Sequence, residues 1–365
     1  MKSSFLIKNY LVALTLIVVN LSCKKQASAV EPSNLQLTAN VSNDGSGRVD
    51  FVATADNADR YFFTFGQGSN ESIRSSDGKA STVYAEGGTY TVKVTAYSSS
   101  DKSITMSKQI TVDKNDAIDN TGYISPETYP GMTLVWQDEF NGTALDTRYW
   151  TFEQGNGANG WGNNELQFYR EENTKVSGGY LTITARKENF SGREYTSSRI
   201  KTQDKKTFLY GRVDFRAKLP KGQGIWPAFW ALGANITTVN WPLCGEIDIM
   251  EMVGGGAGKD NTVHGTVHYE DGGHKYIGKS YTLPSGDFYD KFHVFSLVWT
   301  ETSLKWYIDN QEYYSFDSSS AATDEFRKPF FLLINLAVGG NWPGSPNAST
   351  VFPQKYIVDY VRVFQ

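Results

Sequence analysis

The chain has 365 residues, a length that exceeds a typical single domain and suits two. Aromatic residues are abundant, with 9 Trp, 21 Tyr and 21 Phe, and the formal net charge is −4. Because the chain carries no basic block that would neutralise phosphates, nucleic acid is excluded as its partner, and the two cysteines imply no disulfide framework.

The first 22 residues are typical of a targeting segment. Two lysines precede the apolar run YLVALTLIVVNLS (10–22), which is too short to span a bilayer comfortably as a mature helix. The run ends at LSCKK, which resembles a bacterial lipoprotein cleavage site with Cys23 as the acylated residue, although Asn20 stands where leucine is usual. A plain signal peptide with an incidental cysteine is the alternative. Both interpretations predict export, and the first predicts a lipid anchor in the bacterial outer membrane, followed by a spacer over 23–34.

Residues 35–113 are predicted to form a small all-β domain. Runs of β-prone residues alternate with clusters of Gly, Asn, Asp and Ser, as in VDFVATA (49–55), YFFTFG (61–66) and GTYTVKVTAYS (88–98). The last two runs resemble the PKD-like immunoglobulin-type sandwiches that are appended to exported polysaccharidases. This domain contains no group of residues typical of a catalytic or metal site. Its expected role is therefore that of a spacer or a weak binding module. The polar segment that follows contains two prolines and no periodicity, which predicts an interdomain linker over 114–132.

The remaining chain, 133–365, is predicted to be a large β-sandwich. GYLTITARKE (179–188) and GRVDFRAKLP (211–220) alternate apolar with polar residues. The segment 292–316 is typical of successive hairpin-connected strands, and 356–364 of a last strand. Many short strands without a long helical segment indicate two packed sheets, so the predicted fold class is all-β.

Three carboxylates interrupt an apolar, β-prone run, EIDIMEMV (246–253). Burying Glu246, Asp248 and Glu251 together is costly unless a task or a partner compensates, and no lysine or arginine is close in sequence. Strict alternation would put Glu251 on the face opposite to the other two acids. A bulge at Ile249–Met250 would return it to their face. An edge strand with solvent-facing acids is the alternative, but the apolar neighbours favour a central strand.

Paired glutamates with an aspartate between them suit glycoside hydrolysis. One glutamate attacks the anomeric carbon while the other stays protonated to assist the leaving oxygen. Mutual repulsion raises the proton affinity of one member, so one residue type supplies both an acid and an anion. Asp248 would hydrogen-bond Glu246 and orient it, and retention requires the two carboxyls about 5–5.5 Å apart. A calcium site is the rival interpretation, and it is weaker because calcium ligands usually come from a loop with carbonyl oxygens.

Further motifs flank the acid strand, namely GIWPAFWAL (224–232), WPLCGEIDIMEMVG (241–254) and VHGTVHY (263–269), with shorter ones from WQDEFNG (136–142) to DYVRVF (359–364). Together they resemble the laminarinase branch of glycoside hydrolase family 16, which is known for the bulged acid strand Glu-x-Asp-x-x-Glu. The resemblance implies a concanavalin-like β-jelly roll with a cleft across its concave sheet. It also implies retaining endo-hydrolysis of β-1,3-glucan, with Glu246 as nucleophile, Glu251 as acid/base and Asp248 as the assisting residue.

Sugar-binding residues follow from the same motifs. Trp226 and Trp230 are four residues apart and would share one face of a strand, where an indole can stack on a pyranose ring. The alternative is that one or both fill the core. The resemblance implies further sugar-binding roles for Asn163, Glu165, Arg199, His268 and Trp342, and Trp161 is a further candidate platform. His268 is expected near the acid/base.

The resemblance implies no catalytic cofactor but a structural calcium ion. Asp359, with the backbone of Glu139 and Gly179, occupies the positions that hold calcium in the family. The expected partner is β-glucan polysaccharide or its oligosaccharides, the chain is expected to be a monomer, and only its N-terminal lipid would touch a membrane. Within the enzyme class the alternative is a mixed-linkage β-1,3-1,4-glucanase or another β-glycan hydrolase. Outside that class, a non-catalytic glycan-binding protein on the same scaffold is the alternative, which the intact acids disfavour.

Overall fold

The computed structural model describes residues 30–42, 46–67, 72–112, 114, 118–255 and 259–365. The predicted signal peptide and the predicted acylation of Cys23 lie outside these residues. Contacts divide the chain into two compact units, Met1–Asp116 and Ala117–Gln365. Within the described residues, no helix combines the length and the hydropathy that a membrane crossing requires.

The first unit is built from two small antiparallel sheets around one apolar core. Its strands are β1 (Ser33–Val41), β2 (Arg48–Asp56), β3 (Arg60–Thr64), β4 (Ser72–Ser75), β5 (Lys79–Val83), β6 (Gly88–Tyr97) and β7 (Ser103–Val112). One sheet has the order β1-β2-β5 and the other β4-β3-β6-β7. Alternate residues of the strands, such as Phe51, Phe63 and Val94, are fully buried between the sheets. The predicted all-β character of this region is therefore confirmed.

The second unit is also all-β, with two large sheets and only short helical turns. Its strands are β8 (Leu134–Asp138), β9 (Thr151–Glu153), β10 (Gln167–Tyr169), β11 (Thr174–Ser177), β12 (Tyr180–Phe190), β13 (Arg193–Ser197), β14 (Arg199–Lys201), β15 (Gly211–Lys218), β16 (Ile225–Gly233), β17 (Glu246–Met252), β18 (Thr262–Glu270), β19 (His274–Thr282), β20 (His293–Trp299), β21 (Ser303–Ile308), β22 (Gln311–Asp317), β23 (Phe330–Val338) and β24 (Gln354–Phe364). The helical turns are Gly160–Asn164, Glu171–Asn173, Ile236–Val239 and Ala321–Arg327.

The two sheets of the second unit differ in size and face each other across the main core. The ten-stranded sheet has the order β10-β13-β12-β24-β15-β20-β21-β22, with β11 beside β12 and β8 beside β24. The seven-stranded sheet has the order β19-β18-β17-β16-β23-β14-β9. Phe215 of β15 stacks on Phe229 of β16 with ring centroids 4.0 Å apart, and this pair joins the sheets. Because side chains alternate along β16, Trp226 and Trp230 point to the opposite face, away from the core.

The structure differs from the predicted linker over 114–132, because residues from 118 onward belong to the second unit. Arg216 is fully buried and donates to the backbone carbonyls of Asn120 and Tyr123 at 2.9 and 2.6 Å. The amide and the hydroxyl of Ser125 lie 2.8 and 2.7 Å from the hydroxyl of Tyr360. The segment supplies two backbone acceptors to a buried guanidinium that also donates to Asp359 elsewhere in the second unit, so it is a strap on the sandwich and not a free connection.

Candidate active site

The acid strand β17 carries the predicted bulge. On β16, Phe229 pairs with Met250 and the next residue, Trp230, pairs with Asp248, which leaves Ile249 as the extra residue. The same shift appears against β18. There Asp248 pairs with Thr266 and Glu251 with His264, so the two acids are three positions apart while their partners are two positions apart. Two neighbouring strands thus agree on the bulge, and Glu251 returns to the face of Glu246 and Asp248.

A cleft of about 970 Å³ lies over this face of the seven-stranded sheet. Every catalytic and sugar-binding residue predicted from the sequence lines it, while the three predicted calcium-site residues do not. Most of the lining comes from β16, β17, β18 and β19, and the rest from Arg199 of β14, Asn335 of β23 and the turns and loops that carry Trp161, Trp241 and Trp342. The predicted cleft therefore exists, and β17, the strand that carries the three acids, forms part of its floor.

Glu246 accepts a hydrogen bond from an indole. The Nε1 atom of Trp241 donates to Oε2 of Glu246 at 2.9 Å. His268 lies on the other side, with Nε2 at 3.2 Å from Oδ2 of Asp248 and 3.8 Å from Oε1 of Glu246. His268 was expected near the acid/base, but the strand register places it opposite Glu246 and places His264 opposite Glu251.

Glu251 also accepts from an indole. The Nε1 atom of Trp226 donates to Oε1 of Glu251 at 3.0 Å. Trp342 packs edge-on against Trp226, with ring centroids 5.7 Å apart, and approaches His264 at 4.9 Å. The predicted sugar platform at Trp226 thus also holds Glu251, the predicted acid/base.

Trp241 was given no role by sequence reasoning, although it stands in the segment that carried the resemblance. It lies in the turn before β17, and its side chain is half exposed. The sequence feature that could have indicated this contact is the position of Trp241, five residues before Glu246. A side chain in a turn next to a strand can fold back over the end of that strand. Nothing in the local pattern specified that contact.

The electrostatics of the three carboxyls divide their roles. Burial raises the pKa of each, and the charge of Asp248 raises the pKa of Glu246 and of Glu251 further. The pKa of Glu246 reaches about 8, against the lowering effects of His268 and the Trp241 N–H. The pKa of Glu251 is held well above its ordinary value, with the Trp226 N–H and the more distant charge of His268 opposing the rise. The raised pKa of Glu251 therefore favours its protonated form, whereas the N–H of Trp241 and the charge of His268 favour negative charge on Glu246.

Arg199 organises the opposite end of the cleft. Its guanidinium lies 4.7 Å from the ring centroid of Trp161 and 5.0 Å from that of Trp230. Glu153 accepts from Nε of Arg199 at 2.5 Å and from Lys201 at 2.6 Å, so the arginine is held from behind. The two indoles and the guanidinium form a stacked polar and aromatic surface suited to a sugar ring.

Glu165 occupies a different environment from the one expected. It was predicted to bind sugar hydroxyls, but its side chain is buried and accepts from Gln167 at 2.7 Å, Tyr169 at 2.9 Å and Asn163 at 3.4 Å. Because protein donors occupy both oxygens, Glu165 supports Asn163 at the cleft wall. Asn163 and Trp342 remain positioned to meet a ligand.

Ligand atoms suited to a cation also occur in the cleft. Glu246, Asp248 and His268 bring one such atom each within 4.8 Å of one another. These are the atoms that the acids need for chemistry, so a bound cation would compete with substrate. Among the described residues no other group of three His, Cys, Asp or Glu side chains comes as close together.

Comparisons with known proteins agree with this geometry. The family model "Glycosyl hydrolases family 16" matches residues 161–362. Over 241 residues the chain is 41% identical to the clotting factor G alpha subunit of Tachypleus tridentatus, covering 65% of this chain and 34% of that one. Over 265 residues it is 43% identical to glucan endo-1,3-beta-glucosidase A1 of Niallia circulans, covering 64% of this chain and 38% of that one. The chain thus spans about a third of the length of these two relatives.

A solved structure extends the similarity to three dimensions. The laminarinase catalytic domain from Thermotoga maritima superposes with a TM-score of 0.60 at 47% identity, covering 64% of this chain and 98% of that one. That coverage is about the share of this chain that the second unit represents.

Proposed function

The chain belongs to glycoside hydrolase family 16, and from this premise we propose that it is a retaining endo-hydrolase of β-1,3-glucan. The observation that carries the proposal is the bulged strand, which presents two glutamates and an aspartate to one cleft with an indole N–H on each glutamate. A non-catalytic glycan-binding protein would have no need of three acids crowded on one cleft face, with Asp248 buried, because such an arrangement is costly.

The proposed reaction uses the two glutamates in turn. Glu251 gives its proton to the leaving glycosidic oxygen while a Glu246 carboxylate oxygen attacks the anomeric carbon, forming a glycosyl ester and releasing the first product. Glu251, now a base, takes a proton from water, whose oxygen attacks the same carbon and frees Glu246. The N–H of Trp241 favours the anionic form of Glu246, because an indole donates a hydrogen bond and accepts no proton in return.

The proposed substrate follows from aromatic rings at both ends of the cleft. Trp226 and Trp342 stand on the acid/base side, and Trp161 and Trp230 flank Arg199 at the other end. β-1,3-glucan chains coil, so their sugar faces turn progressively and need platforms set at differing angles. The names of similar proteins, a glucan endo-1,3-beta-glucosidase and a laminarinase, support this choice. Mixed-linkage β-1,3-1,4-glucan is the second candidate.

A panel of pure polysaccharides tests the proposal. Laminarin should release short oligosaccharides by internal cleavage, and proton NMR of early products should show the β anomer first. Glu246→Gln and Glu251→Gln should each lower turnover by at least about 10³-fold while the melting temperature stays close to that of wild type. An α anomer appearing first contradicts retention. Cleavage of a galactan with laminarin untouched contradicts the substrate and leaves the mechanism standing.

A structural calcium ion is a further proposal. Oδ2 of Asp359 accepts from Arg216 at 2.6 Å, and among the described residues no donor reaches its other oxygen. That oxygen, with the backbone carbonyls of Glu139 and Gly179, would hold the ion, since calcium prefers oxygen ligands. The ion would stabilise the sandwich and take no part in the reaction. Calorimetry with added calcium or chelator should show a higher melting temperature with calcium in wild type and no difference in Asp359→Asn.

The N-terminal features complete the proposed protein. We expect Cys23 to be acylated after cleavage of residues 1–22 and to anchor an exported monomer, which labelling with a fatty acid and the variant Cys23→Ala would test in cells. The first unit is proposed as a PKD-like spacer or weak glycan binder, a role that its two sheets and single core support.

A further inference from the structure

His274, on the edge strand β19, contacts His268 in the cleft. The Nδ1 atom of His268 lies 2.9 Å from Nε2 of His274, and the two rings are nearly parallel at 12°. From this contact, and on the basis of the proposed function, we propose that His274 is a positioning residue for the reaction. It holds His268 with its Nε2–H directed at Asp248 and Glu246.

The strand register explains why the two rings meet. Glu270 pairs with His274 and His268 pairs with Tyr276, so the two histidines are diagonal neighbours on the cleft face of the β18–β19 hairpin. Diagonal neighbours on one sheet face lie within reach of aromatic side chains. The contact is therefore built into the hairpin and does not depend on a mobile loop.

The protonation states open to His268 and His274 favour one orientation of the His268 ring. If His268 is charged, its Nδ1–H donates to His274 and its Nε2–H faces Asp248. If His268 is neutral, the tautomer with its proton on Nε2 is favoured, because the other tautomer would turn a lone pair of Nε2 toward Oδ2 of Asp248, 3.2 Å away; His274 then donates from Nε2 to Nδ1 of His268. A histidine at position 274 serves in both cases because its Nε2 can accept or donate. In either state an N–H points at the acids.

The acids need that N–H. Oδ2 of Asp248 is buried, and no hydrogen bond of good geometry reaches it from the described residues. Nε2 of His268, at 3.2 Å, is the nearest positively polarised atom that the structure gives it. A ring flip of His268 would present a carbon in its place and leave Oδ2 of Asp248 without a neighbouring N–H.

The surroundings of His274 keep it suited to this task. Trp241 packs on its ring with centroids 4.5 Å apart, and Tyr276 lies at 5.9 Å. Burial and the neighbouring His268 lower the pKa of His274, against the charge of Glu270. His274 is then a neutral ring that can accept a proton in a hydrogen bond, and the same indole that donates to Glu246 holds it in place.

The test compares three variants on laminarin. His274→Ala should lower kcat about tenfold with less than about a twofold change in KM, as expected for loss of a residue that orients a reacting group. His274→Gln should recover most of the loss, because an amide can also donate or accept. Lys275→Ala is the matched control, since this exposed neighbour points to the other face, and it should behave as wild type.

A spectroscopic readout separates positioning from a structural effect. Nitrogen NMR of the imidazole nitrogens should show His268 with its proton on Nε2 in wild type and a mixture of tautomers in His274→Ala. Wild-type kcat together with an unchanged His268 spectrum in His274→Ala would overturn the proposal. The NMR result does not require turnover, so a wild-type protein that fails to cleave laminarin would reject the proposed substrate and still leave the positioning contact testable.

Discussion

Each glutamate of the cleft accepts a hydrogen bond from one tryptophan, and the two bonds have different consequences. Trp241 donates to Glu246, which also has His268 nearby, whereas among the described residues the Glu251 carboxylate receives its one hydrogen bond from Trp226. A donor-only group stabilises an anion and cannot relay a proton. Glu246 has both an N–H donor and a histidine nearby, whereas in the described part of the chain Glu251 has an N–H donor alone. This difference explains how two glutamates of one cleft can act as anion and acid.

Trp241→Phe tests the contribution of the donor to Glu246. The ring remains but the N–H is lost, so the anionic form of Glu246, the proposed nucleophile, loses a charge-assisted hydrogen bond of roughly 1.5–3 kcal/mol. We expect kcat to fall about tenfold or more, with KM changed much less. The comparison variant is Trp342→Ala, which removes a cleft ring that makes no bond to either acid and should raise KM more than it lowers kcat. Equal effects of the two variants on KM would contradict the assignment.

Asp248→Asn tests the charge coupling within the acid strand. After burial, the charge of Asp248 is the largest cause that raises the pKa of Glu246 to about 8. Removing that charge favours ionised Glu246, so its pKa falls and more nucleophile is available at low pH. The acid limb of the kcat/KM profile should therefore move to lower pH, while the maximum falls because the orienting carboxyl is lost. An acid limb that stays in place or moves upward contradicts the coupling.

At the scale of the strand, Ile249 acts as a spacer. Without it the strand would read Glu-Ile-Asp-Met-Glu, in which simple alternation again puts all three acids on the cleft face. Deleting Ile249 should therefore give a folded protein, within roughly 5 °C of the wild-type melting temperature. Its turnover should be lower, because the second glutamate is drawn closer to the first by part of one residue rise.

Deleting Ile247 is the matched control for that experiment. This deletion places Glu246 next to Asp248, so one of the two acids must enter the core between the sheets. We expect it to prevent folding, since an unpaired buried charge is among the most costly changes available. Equal melting temperatures for the two deletion variants would show that the bulge does not determine which face of the strand Glu251 occupies.

Local pattern was enough for the acid strand and insufficient for its surroundings. The bulge was predictable because three acids in an apolar run make sense only on one face, which is a property of eight consecutive residues. The indole bond from Trp241 and the ring contact from His274 depend on how a turn and a hairpin fold back. Glu165 shows the same limit, since its neighbours Gln167 and Tyr169 occupy its oxygens only once β10 has formed.

At the scale of the whole molecule, the second unit begins earlier than composition suggested. The strap over residues 118–132 is polar and aperiodic, so it was predicted as a linker. Its partners Arg216 and Tyr360 lie 96 and 235 residues further along the chain than Asn120 and Ser125. No periodicity within the strap could reveal contacts at that sequence separation.

Two truncated proteins test the boundary. A protein that begins at residue 118 should keep the wild-type turnover on soluble oligosaccharides, because the second unit retains its strap. A protein that begins at residue 133 leaves the fully buried Arg216 without the carbonyls of Asn120 and Tyr123. We expect a loss of about 3–5 kcal/mol in the free energy of unfolding, measured by denaturant titration. Equal free energies of unfolding for the two proteins would show that residues 118–132 do not stabilise the second unit and act as a linker.

The place of β24 in the ten-stranded sheet has a consequence for how the protein is made. This strand lies between β12 and β15, yet it follows both in sequence by well over a hundred residues. During synthesis the first unit has all its strands early and can fold as a unit while the rest emerges. The second unit instead waits with a gap in the middle of its larger sheet until residues 354–364 leave the ribosome. Closing that gap joins the last strand of the second unit to strands formed far earlier, so the second unit is completed only after translation has passed every residue that lines the cleft.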